Sequence, residues 1–155
     1  MKSLELKVPP PVVMLLAVAA MWGLARAMPA LVVPIPDGLR QVIGVALIVL
    51  GVAMDLACAF RFWRAGTTIN PLRPDASAAL VTTGLFRFSR NPMYLGMLVA
   101  LIGWAVLLAS PPALLGTGAF VWYLSRFQIL PEERALAARF PQQFADYAGR
   151  VRRWL

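Results

Sequence analysis

The chain has 155 residues, of which 60% are hydrophobic and only 14% charged, and its formal net charge is +8. A soluble domain carries about a quarter charged residues, so this composition predicts a membrane protein, and the length predicts one small domain. The sequence contains one cysteine and no histidine. An internal disulfide is therefore excluded, and no metal site is expected, because the commonest ligands of zinc are missing.

Four apolar segments follow one another along the chain and predict an all-α bundle that spans a membrane. They cover residues 11–28, 39–62, 93–109 and 113–130. The first two approach the ~20 residues that cross a bilayer as a helix, whereas the last two are shorter. The first is expected to remain in the protein as a helix, since no convincing cleavage site follows it. We expect a single domain, 1–155, with about four transmembrane helices, a loop over 63–92 and a tail over 131–155.

The distribution of positive charge predicts the orientation of this bundle. Arginines are concentrated in the 63–92 loop and after the fourth segment, and Lys2 and Lys7 precede the first segment. The two loops on the opposite side hold only Arg40 and no positive charge, respectively. By the positive-inside rule, both termini and the 63–92 loop face the cytoplasm. Because these arginines flank membrane segments and form no separate basic domain, nucleic acid is not an expected partner, whereas anionic membrane lipids are.

Asn91 and Pro92 are typical of a helix N-terminus. Asn is a favoured cap, and Pro fits the first helical position because its missing N–H has no partner there. The N–H groups of Met93, Tyr94 and Leu95 would then be free, and a helix end of this kind binds carboxylate or phosphate. In isolation, Asn-Pro ordinarily means only that a helix begins.

Ionisable residues near the apolar segments have a structural and a functional interpretation. Glu132 and Glu133 follow the fourth segment, where acidic residues ordinarily favour the helix dipole. Arg126, near the cytoplasmic end of the fourth segment, would ordinarily extend its side chain so that its charge reaches the membrane–water interface. Asp55 lies about two turns inside the end of the second segment, where a carboxyl is costly unless it faces the bundle or a wet cavity. An ion pair between Asp55 and a loop arginine is an equal alternative.

Apolar residues recur every three or four positions in the tail, with polar residues between them. They are Leu136, Phe140, Phe144, Tyr147 and Val151. We expect two short amphipathic helices divided at Pro141 and lying on the cytoplasmic leaflet. Two glycine pairs at helical spacing, Gly44 with Gly51 and Gly96 with Gly103, predict helices that approach each other closely.

Several motifs stand together between Arg61 and the end of the chain. They are Gly66-Thr67-Thr68, Asn70-Pro71, Leu80–Gly84, Arg90–Gly96, Glu132–Leu136, Phe140, Tyr147 and Val151–Arg153. In combination they resemble the isoprenylcysteine carboxyl methyltransferase family, which is related to the membrane phospholipid methyltransferases. The first two apolar segments are similar to that family only in being apolar.

The resemblance implies an integral membrane enzyme that uses S-adenosyl-L-methionine, bound at the cytoplasmic face in a pocket that is not a Rossmann fold. The implied methyl acceptor is lipid-like or a small apolar molecule, with a carboxylate as in prenylcysteine-type substrates. A phospholipid amine N-methyltransferase and a non-catalytic membrane scaffold are the alternatives. The implied cofactor-binding residues are Leu80, Val81, Phe86, Asn91, Pro92, Met93, Tyr94, Glu132 and Glu133. The implied catalytic residues are Tyr94, Arg126 and Glu132.

The chain departs from the family pattern at positions that bear on this site. Asn91 stands where the family usually has His, and Phe86 stands where Tyr is common. In the tail, Pro141 replaces Gly and Phe144 replaces a tyrosine. An arginine before the two glutamates is implicated in acceptor binding in the family. In this chain Gln128 stands at that position, and Arg126 lies nearby.

The chemistry of methyl transfer agrees with these residue types. The cofactor carries a sulfonium and an ammonium, which suit an aromatic face such as Tyr94 and a carboxylate such as Glu132. Displacement at a sulfonium needs no metal, and a carboxylate acceptor needs no base. An amine acceptor must lose a proton, which in a chain without histidine falls to Glu, Asp or water.

Overall fold

The computed structural model describes residues 4–66 and 79–155, and in those ranges its regular structure is entirely helical. The α-helices are α1 (Pro10–Ala27), α2 (Asp37–Arg64), α3 (Pro92–Leu108), α4 (Leu114–Leu124), α5 (Leu130–Arg139) and α6 (Pro141–Arg150). The predicted all-α fold is confirmed. Residues 67–78 of the predicted 63–92 loop, with the Asn70-Pro71 motif, and Lys2 lie outside the described residues.

Within residues 4–66 and 79–155, two helices are long and apolar enough to cross a membrane, namely α1 with 18 residues and α2 with 28. In each of them only 17% of the most apolar 18-residue window is buried within the protein. Apolar faces of this extent are expected to be covered by lipid. The helix α3 is apolar but shorter, so the total of four spans stays a prediction.

The helices α2 and α3 pack through their glycines. A Cβ atom at Gly103 would lie 2.6 Å from the carbonyl oxygen of Gly44, and one at Gly51 would lie 2.9 Å from the amide nitrogen of Ala100. Real Cβ atoms do not fit at such distances, so the two backbones touch where larger residues would hold them apart. The close approach that the glycine spacing predicted is therefore present.

Asp55 lies on the side of α2 that packs against α3, as Gly44 and Gly51 do. Its carboxylate lies against the Cα position of Gly96, and its Oδ1 is buried without a hydrogen-bond partner among the described residues. No ion pair of Asp55 is found within 4–66 and 79–155. The missing side chain at Gly96 leaves the space that the carboxyl occupies.

The fourth apolar segment does not end its helix at Leu130. The helix α4 passes into a π-turn, Ser125–Ile129, and continues directly as α5 to Arg139. Pro131 has no N–H for an α-helical bond and its ring crowds the carbonyl four residues earlier, which is a known cause of such irregular turns. The first part of the predicted tail is therefore a continuation of this helix.

The core lies between α1, α3 and α4. Its fully buried side chains include Met21, Leu101, Phe120, Leu124 and Ile129. A second, smaller cluster forms around Cys58, Phe86 and Tyr147. Helix α5 ends before Pro141 and α6 begins there, as the sequence predicted.

The residues after α6 fold back onto the start of α3. The carbonyl oxygen of Arg152 accepts a hydrogen bond from the Arg90 N–H at 2.9 Å, and the carbonyl oxygen of Arg153 accepts one from Asn91 Nδ2 at 3.0 Å. Phe144 and Tyr147 on α6 pack with the second cluster. The apolar face of the tail thus has protein contacts, where the sequence favoured contact with the membrane surface.

Candidate active site

A cavity of about 330 Å³ is formed by residues from several parts of the chain. They come from the starts of α1 and α3, from the segment that precedes α3, and from α5 and α6. Most of its lining is apolar. Its aromatic walls are Phe62, Phe86, Tyr94, Phe144 and Tyr147, and its polar side chains are Arg90, Asn91, Glu132 and Glu133. An apolar cavity of this size with a few convergent polar groups has the form of a small-molecule site.

The cavity brings together residues that the sequence analysis singled out from separate segments. All nine residues implied to bind a cofactor line it, namely Leu80, Val81, Phe86, Asn91, Pro92, Met93, Tyr94, Glu132 and Glu133. Of the implied catalytic residues, Tyr94 and Glu132 line the cavity, whereas Arg126 does not. Their proximity is thus present in the fold, and their roles stay predictions.

Asn91 occupies the cap position of α3, but its side chain does not cap the helix. Its Nδ2 donates instead to the carbonyl oxygen of Arg153, and its own N–H donates to Ser89 Oγ at 3.1 Å. Ser89 Oγ donates in turn to the same Arg153 carbonyl at 3.3 Å. Asn91 therefore ties the C-terminal residues to the start of α3.

Two backbone amides at the start of α3 have no hydrogen-bond partner among the described residues. The Leu95 N–H donates to the carbonyl oxygen of Asn91 at 3.0 Å, so the expectation that it is free was wrong. No hydrogen bond is found from the N–H of Met93 or Tyr94 to any described residue. Both residues line the cavity, where unbonded amides at a helix N-terminus favour an anion.

Glu132 is the meeting point of the polar groups. Its Oε1 accepts a hydrogen bond from Tyr94 Oη at 2.6 Å and another from Gln128 Nε2 at 2.6 Å. Among residues 4–66 and 79–155, no donor to its Oε2 is found. Glu132 thus has one satisfied oxygen and one available oxygen, and it lines the cavity.

The surroundings of Glu132 hold it close to half ionised at neutral pH. Burial raises the pKa of Glu132 to about 7, and the negative charge of Glu133 acts in the same direction. The hydrogen bonds from Tyr94 and Gln128 favour the carboxylate and oppose this rise in pKa. A positively charged group in the cavity would favour the ionised form.

Glu133 has a different environment although it is the next residue. Its Oε1 pairs with Arg90 at 2.9 Å, and its Oε2 pairs with Arg153 at 2.7 Å. Arg153 adds a second hydrogen bond from Nε to Oε1 at 3.1 Å. Both oxygens of Glu133 are therefore occupied by arginines, and this carboxylate joins α5 to the C-terminus.

Tyr147 and Gln128 are site residues that the sequence analysis did not assign. Tyr147 Oη donates to the carbonyl oxygen of Phe86 at 2.7 Å and so holds an aromatic wall of the cavity in place. Burial raises the pKa of Tyr147 to about 12, which keeps this donor protonated. Gln128 is 1% exposed. Its four-residue spacing from Glu132 would have indicated their contact if the helix had been expected to continue past Leu130.

Arg126 faces the N-terminal residues. Its guanidinium lies 3.3 Å from Glu5 Oε1 and 5.6 Å from the centre of the Phe127 ring. In the described part of the chain, no three acidic or cysteine side chains come close enough to hold a metal ion.

The sequence model of the phospholipid methyltransferase family matches residues 39–143. The chain belongs to this family. The matched residues include α2, α3, α4 and α5, and with them Tyr94, Gln128 and Glu132. The kinship that the sequence motifs indicated is confirmed.

Relatives within this group differ in what their names say they methylate. Protein-S-isoprenylcysteine O-methyltransferase B of Arabidopsis thaliana is 30% identical over 108 residues, which cover 70% of this chain and 55% of that protein. Phosphatidylethanolamine N-methyltransferase of Homo sapiens is 39% identical over 75 residues, which cover 48% and 38% respectively. The chain thus spans about half the length, or less, of these curated relatives. No solved structure matches it.

Proposed function

We propose that this protein transfers a methyl group from S-adenosyl-L-methionine to a lipid-like or small apolar acceptor, with a carboxylate as in prenylcysteine-type substrates. The observation that carries the proposal is the shared cavity of Glu132, Tyr94 and the unbonded amides at the start of α3. Membership of the phospholipid methyltransferase family supports the reaction class.

The charges of the cofactor fit the polar groups of the cavity. The available Oε2 of Glu132 would hold the ammonium, and the amides of Met93 and Tyr94 would hold the carboxylate. When bound, S-adenosyl-L-methionine supplies a methyl group on a sulfonium, which the acceptor displaces in line. The Tyr94 ring favours positive charge near its face. Leu80, Val81 and Phe86 would enclose the apolar remainder of the cofactor and exclude water.

Glu132 and Glu133 would have separate tasks in this site. Glu133 already pairs with two arginines, so it would hold the C-terminal residues against the start of α3. Glu132 has no arginine partner among the described residues and is therefore the acid available to a ligand cation. Arg126, which pairs with Glu5 away from the cavity, would act on the fold around the site rather than on the reacting atoms.

The acceptor would enter from the bilayer between helices, with the site at the cytoplasmic face. The exposed apolar surfaces of α1 and α2 support a lipid-embedded position for the cavity walls. A carboxylate acceptor would arrive ionised and would need no base. The protein would then contribute positioning, which is worth roughly 7–11 kcal/mol in well-oriented reactions.

Methylation of a phospholipid amine is the second candidate. The similarity to the human phosphatidylethanolamine N-methyltransferase supports it. An amine must lose a proton before or during transfer. With a pKa of about 7, Glu132 is suited to accept that proton, provided that the cofactor ammonium does not occupy it.

Transfer of labelled methyl groups by the full chain in lipid nanodiscs tests the proposal. The acceptor panel contains a prenylcysteine analogue, phosphatidylethanolamine and a small apolar thiol. We expect label in the prenylcysteine analogue, and Glu132→Gln should lose at least tenfold in cofactor affinity by calorimetry. Asp146→Asn is the matched control, because it removes an exposed carboxylate of α6 that bonds only Gln142 in the described residues.

Label in phosphatidylethanolamine alone would select the second candidate. A folded wild-type protein that binds no S-adenosyl-L-methionine would contradict both enzyme candidates and favour the non-catalytic scaffold.

A further inference from the structure

The π-turn Ser125–Ile129 has an open carbonyl that the N-terminal residues fill. In a regular helix the carbonyl of Phe127 would accept the N–H of residue 131, but Pro131 has none. The Leu6 N–H donates to that carbonyl at 3.0 Å. Leu6 has φ of 55°, a left-handed conformation that costs a leucine energy and persists only where contacts hold it.

Glu5 adds a charged bridge at the same place. Its Oε1 lies 3.3 Å from Arg126 in the π-turn, and its Oε2 pairs with Arg134 on α5. The Glu5 side chain is only 13% exposed, and these two arginines are its charge partners. One carboxylate thus fixes the turn relative to the helix that follows it.

The C-terminal residues hold the other end of the π-turn. Trp154 Nε1 donates to Ser125 Oγ at 3.1 Å, and the Trp154 ring packs against the main core. Residues near both ends of the chain therefore contact three consecutive residues of the π-turn, Ser125, Arg126 and Phe127. Leu6, Glu5 and Trp154 all lie outside the matched family segment 39–143.

The π-turn in turn carries Gln128, whose Nε2 donates to Glu132 Oε1. We propose that Glu5 and Trp154 are positioning residues that hold the π-turn and, through Gln128, set the position and ionisation of the Glu132 carboxylate. This inference rests on the proposed function in one respect, namely that Glu132 binds the cofactor. The two ends of the chain then control cofactor affinity without touching the cavity.

Among the groups around Glu132, Gln128 is the contact that Glu5 and Trp154 can change through the π-turn. From α3, Tyr94 faces Glu132, and from α5, Glu133 lies beside it. Glu133 is paired with Arg90 and Arg153, which weakens the effect of its charge on Glu132. Loss of the Gln128 bond would remove one of two donors that favour the carboxylate, so Glu132 would hold its proton to a higher pH.

Infrared titration of the full-length protein without cofactor is the direct test. The carboxyl band of Glu132 is identified as the one missing from Glu132→Gln. We expect Glu5→Gln and Trp154→Phe each to raise the midpoint of this band by about half a pH unit or more, whereas Glu5→Asp retains most of the wild-type value. Trp154→Phe removes only the indole donor and keeps an aromatic ring, so it is expected to fold.

Asp37→Asn is the matched control. It removes an ion pair of 2.9 Å between Asp37 and Arg40 at the start of α2, and neither residue lines the cavity. In cofactor-binding measurements at pH 7, Glu5→Gln and Trp154→Phe should raise the Kd about two- to tenfold, in line with the loss of ionised Glu132. The KM for the cofactor should rise by a similar factor, with kcat changed less than twofold. Asp37→Asn should leave the band midpoint and the Kd unchanged.

An unchanged Glu132 midpoint in both folded variants would overturn the inference and leave the proposed function intact. A shifted midpoint with unchanged Kd would overturn the link to cofactor affinity. If the wild-type protein binds no cofactor, the proposed function fails, and the infrared titration still decides whether the ends of the chain position Glu132.

Discussion

The Tyr94 hydroxyl and the Glu132 carboxylate are 38 residues apart in sequence and 2.6 Å apart in space. Tyr94 lies in the first turn of α3, and Glu132 lies in the first turn of α5. The bond therefore joins two helix starts across one cavity. Because Gln128 donates to the same oxygen, the second oxygen of Glu132 is the part of this network that remains available to a ligand.

Cofactor affinity should rise with pH through the titration of Glu132. The pKa of Glu132 in the empty site is about 7, and an ammonium ligand prefers the ionised carboxylate. Affinity is therefore lowest where Glu132 is protonated. Between pH 6 and pH 7.5 the ionised fraction increases about eightfold, and the Kd should fall by about the same factor. Calorimetry over this range should show the trend in the wild type and a flat profile in Glu132→Gln.

The same group gives the empty protein an opposite pH dependence of stability. Its pKa is raised from an ordinary 4.5 to about 7, so the folded state binds the proton more tightly than the unfolded state. The contribution is fully present below pH 4.5 and is lost as the pH rises through 7. Thermal unfolding without cofactor should show this decline in the wild type, with a smaller decline in Glu132→Gln. An identical decline in both proteins would contradict the raised pKa.

Tyr94→Phe should separate the hydroxyl of Tyr94 from its packing. Tyr94 is 8% exposed and packs with Met97 and Leu101 in the main core. Phenylalanine keeps the ring and its packing, but it removes a hydrogen bond that favours the Glu132 carboxylate. The pKa of Glu132 should therefore rise, and cofactor affinity at pH 7 should fall by about two- to tenfold. Tyr94→Ala should abolish transfer and also destabilise the fold by about 3–5 kcal/mol, because it opens a cavity.

These two variants distinguish a binding role from a membrane anchor. A tyrosine that serves only as an interfacial anchor would lose nothing in Tyr94→Phe, since its hydroxyl would have no ligand-linked partner. Cofactor affinity measured beside thermal stability decides the matter. Wild-type affinity in Tyr94→Phe would show that the hydroxyl is not part of the binding site.

Gly96→Ala should destabilise the α2–α3 contact. A Cβ atom at Gly96 would meet the Asp55 carboxylate and lie 2.8 Å from the carbonyl oxygen of Gly51. Backbone cannot move aside cheaply, so we expect a loss of about 1–3 kcal/mol in the free energy of unfolding. Gly118→Ala is the matched control, because nothing lies within 4 Å of its added methyl group. That variant should be unchanged or more stable by up to ~1 kcal/mol. Equal effects would mean that α2 and α3 are not in close contact.

Cysteine labelling at the two ends of α2 tests the orientation. Gly38 lies in the first turn of α2 and Ala65 follows its last residue, and both are exposed, whereas the native Cys58 is buried and is changed to alanine for the experiment. With both termini cytoplasmic, an impermeant thiol reagent added to intact cells should label Gly38→Cys and leave Ala65→Cys unmodified. The reverse pattern would invert the proposed orientation.

Several features of the site followed from the sequence because they depend on local or periodic patterns. Asn91-Pro92 predicted the first residue of α3, since proline has a restricted place in a helix. The spacing of Gly44, Gly51, Gly96 and Gly103 predicted a close helix pair without any knowledge of neighbours. The motifs that carry the family resemblance named the implied cofactor-binding residues, and these residues line one cavity, while their roles stay predictions.

Other features were not predictable because they depend on contacts between distant segments. The π-turn arises from a proline in the middle of a helix that also finds a substitute donor, the Leu6 N–H, over a hundred residues earlier. Because this donor cannot be recognised in the sequence, the helix was expected to end at Leu130, and the contact between Gln128 and Glu132 was missed. The amphipathic pattern of α6 suits a membrane surface and a protein surface equally, since the period of apolar residues does not identify what covers them.

By itself, the sequence determined a helical, lipid-facing chain of a methyltransferase family, because hydrophobicity, helix-start chemistry and motif order are carried by the residues themselves. The resemblance implied that Glu132 and Glu133 both bind the cofactor and that Glu132 alone is catalytic, but the residues themselves offered no physical reason for the difference. The tertiary structure supplies one, because it places two arginines on Glu133 and none on Glu132 within the described residues. Charge compensation depends on which side chains meet in space, and here those partners come from the start of α3 and the end of the chain.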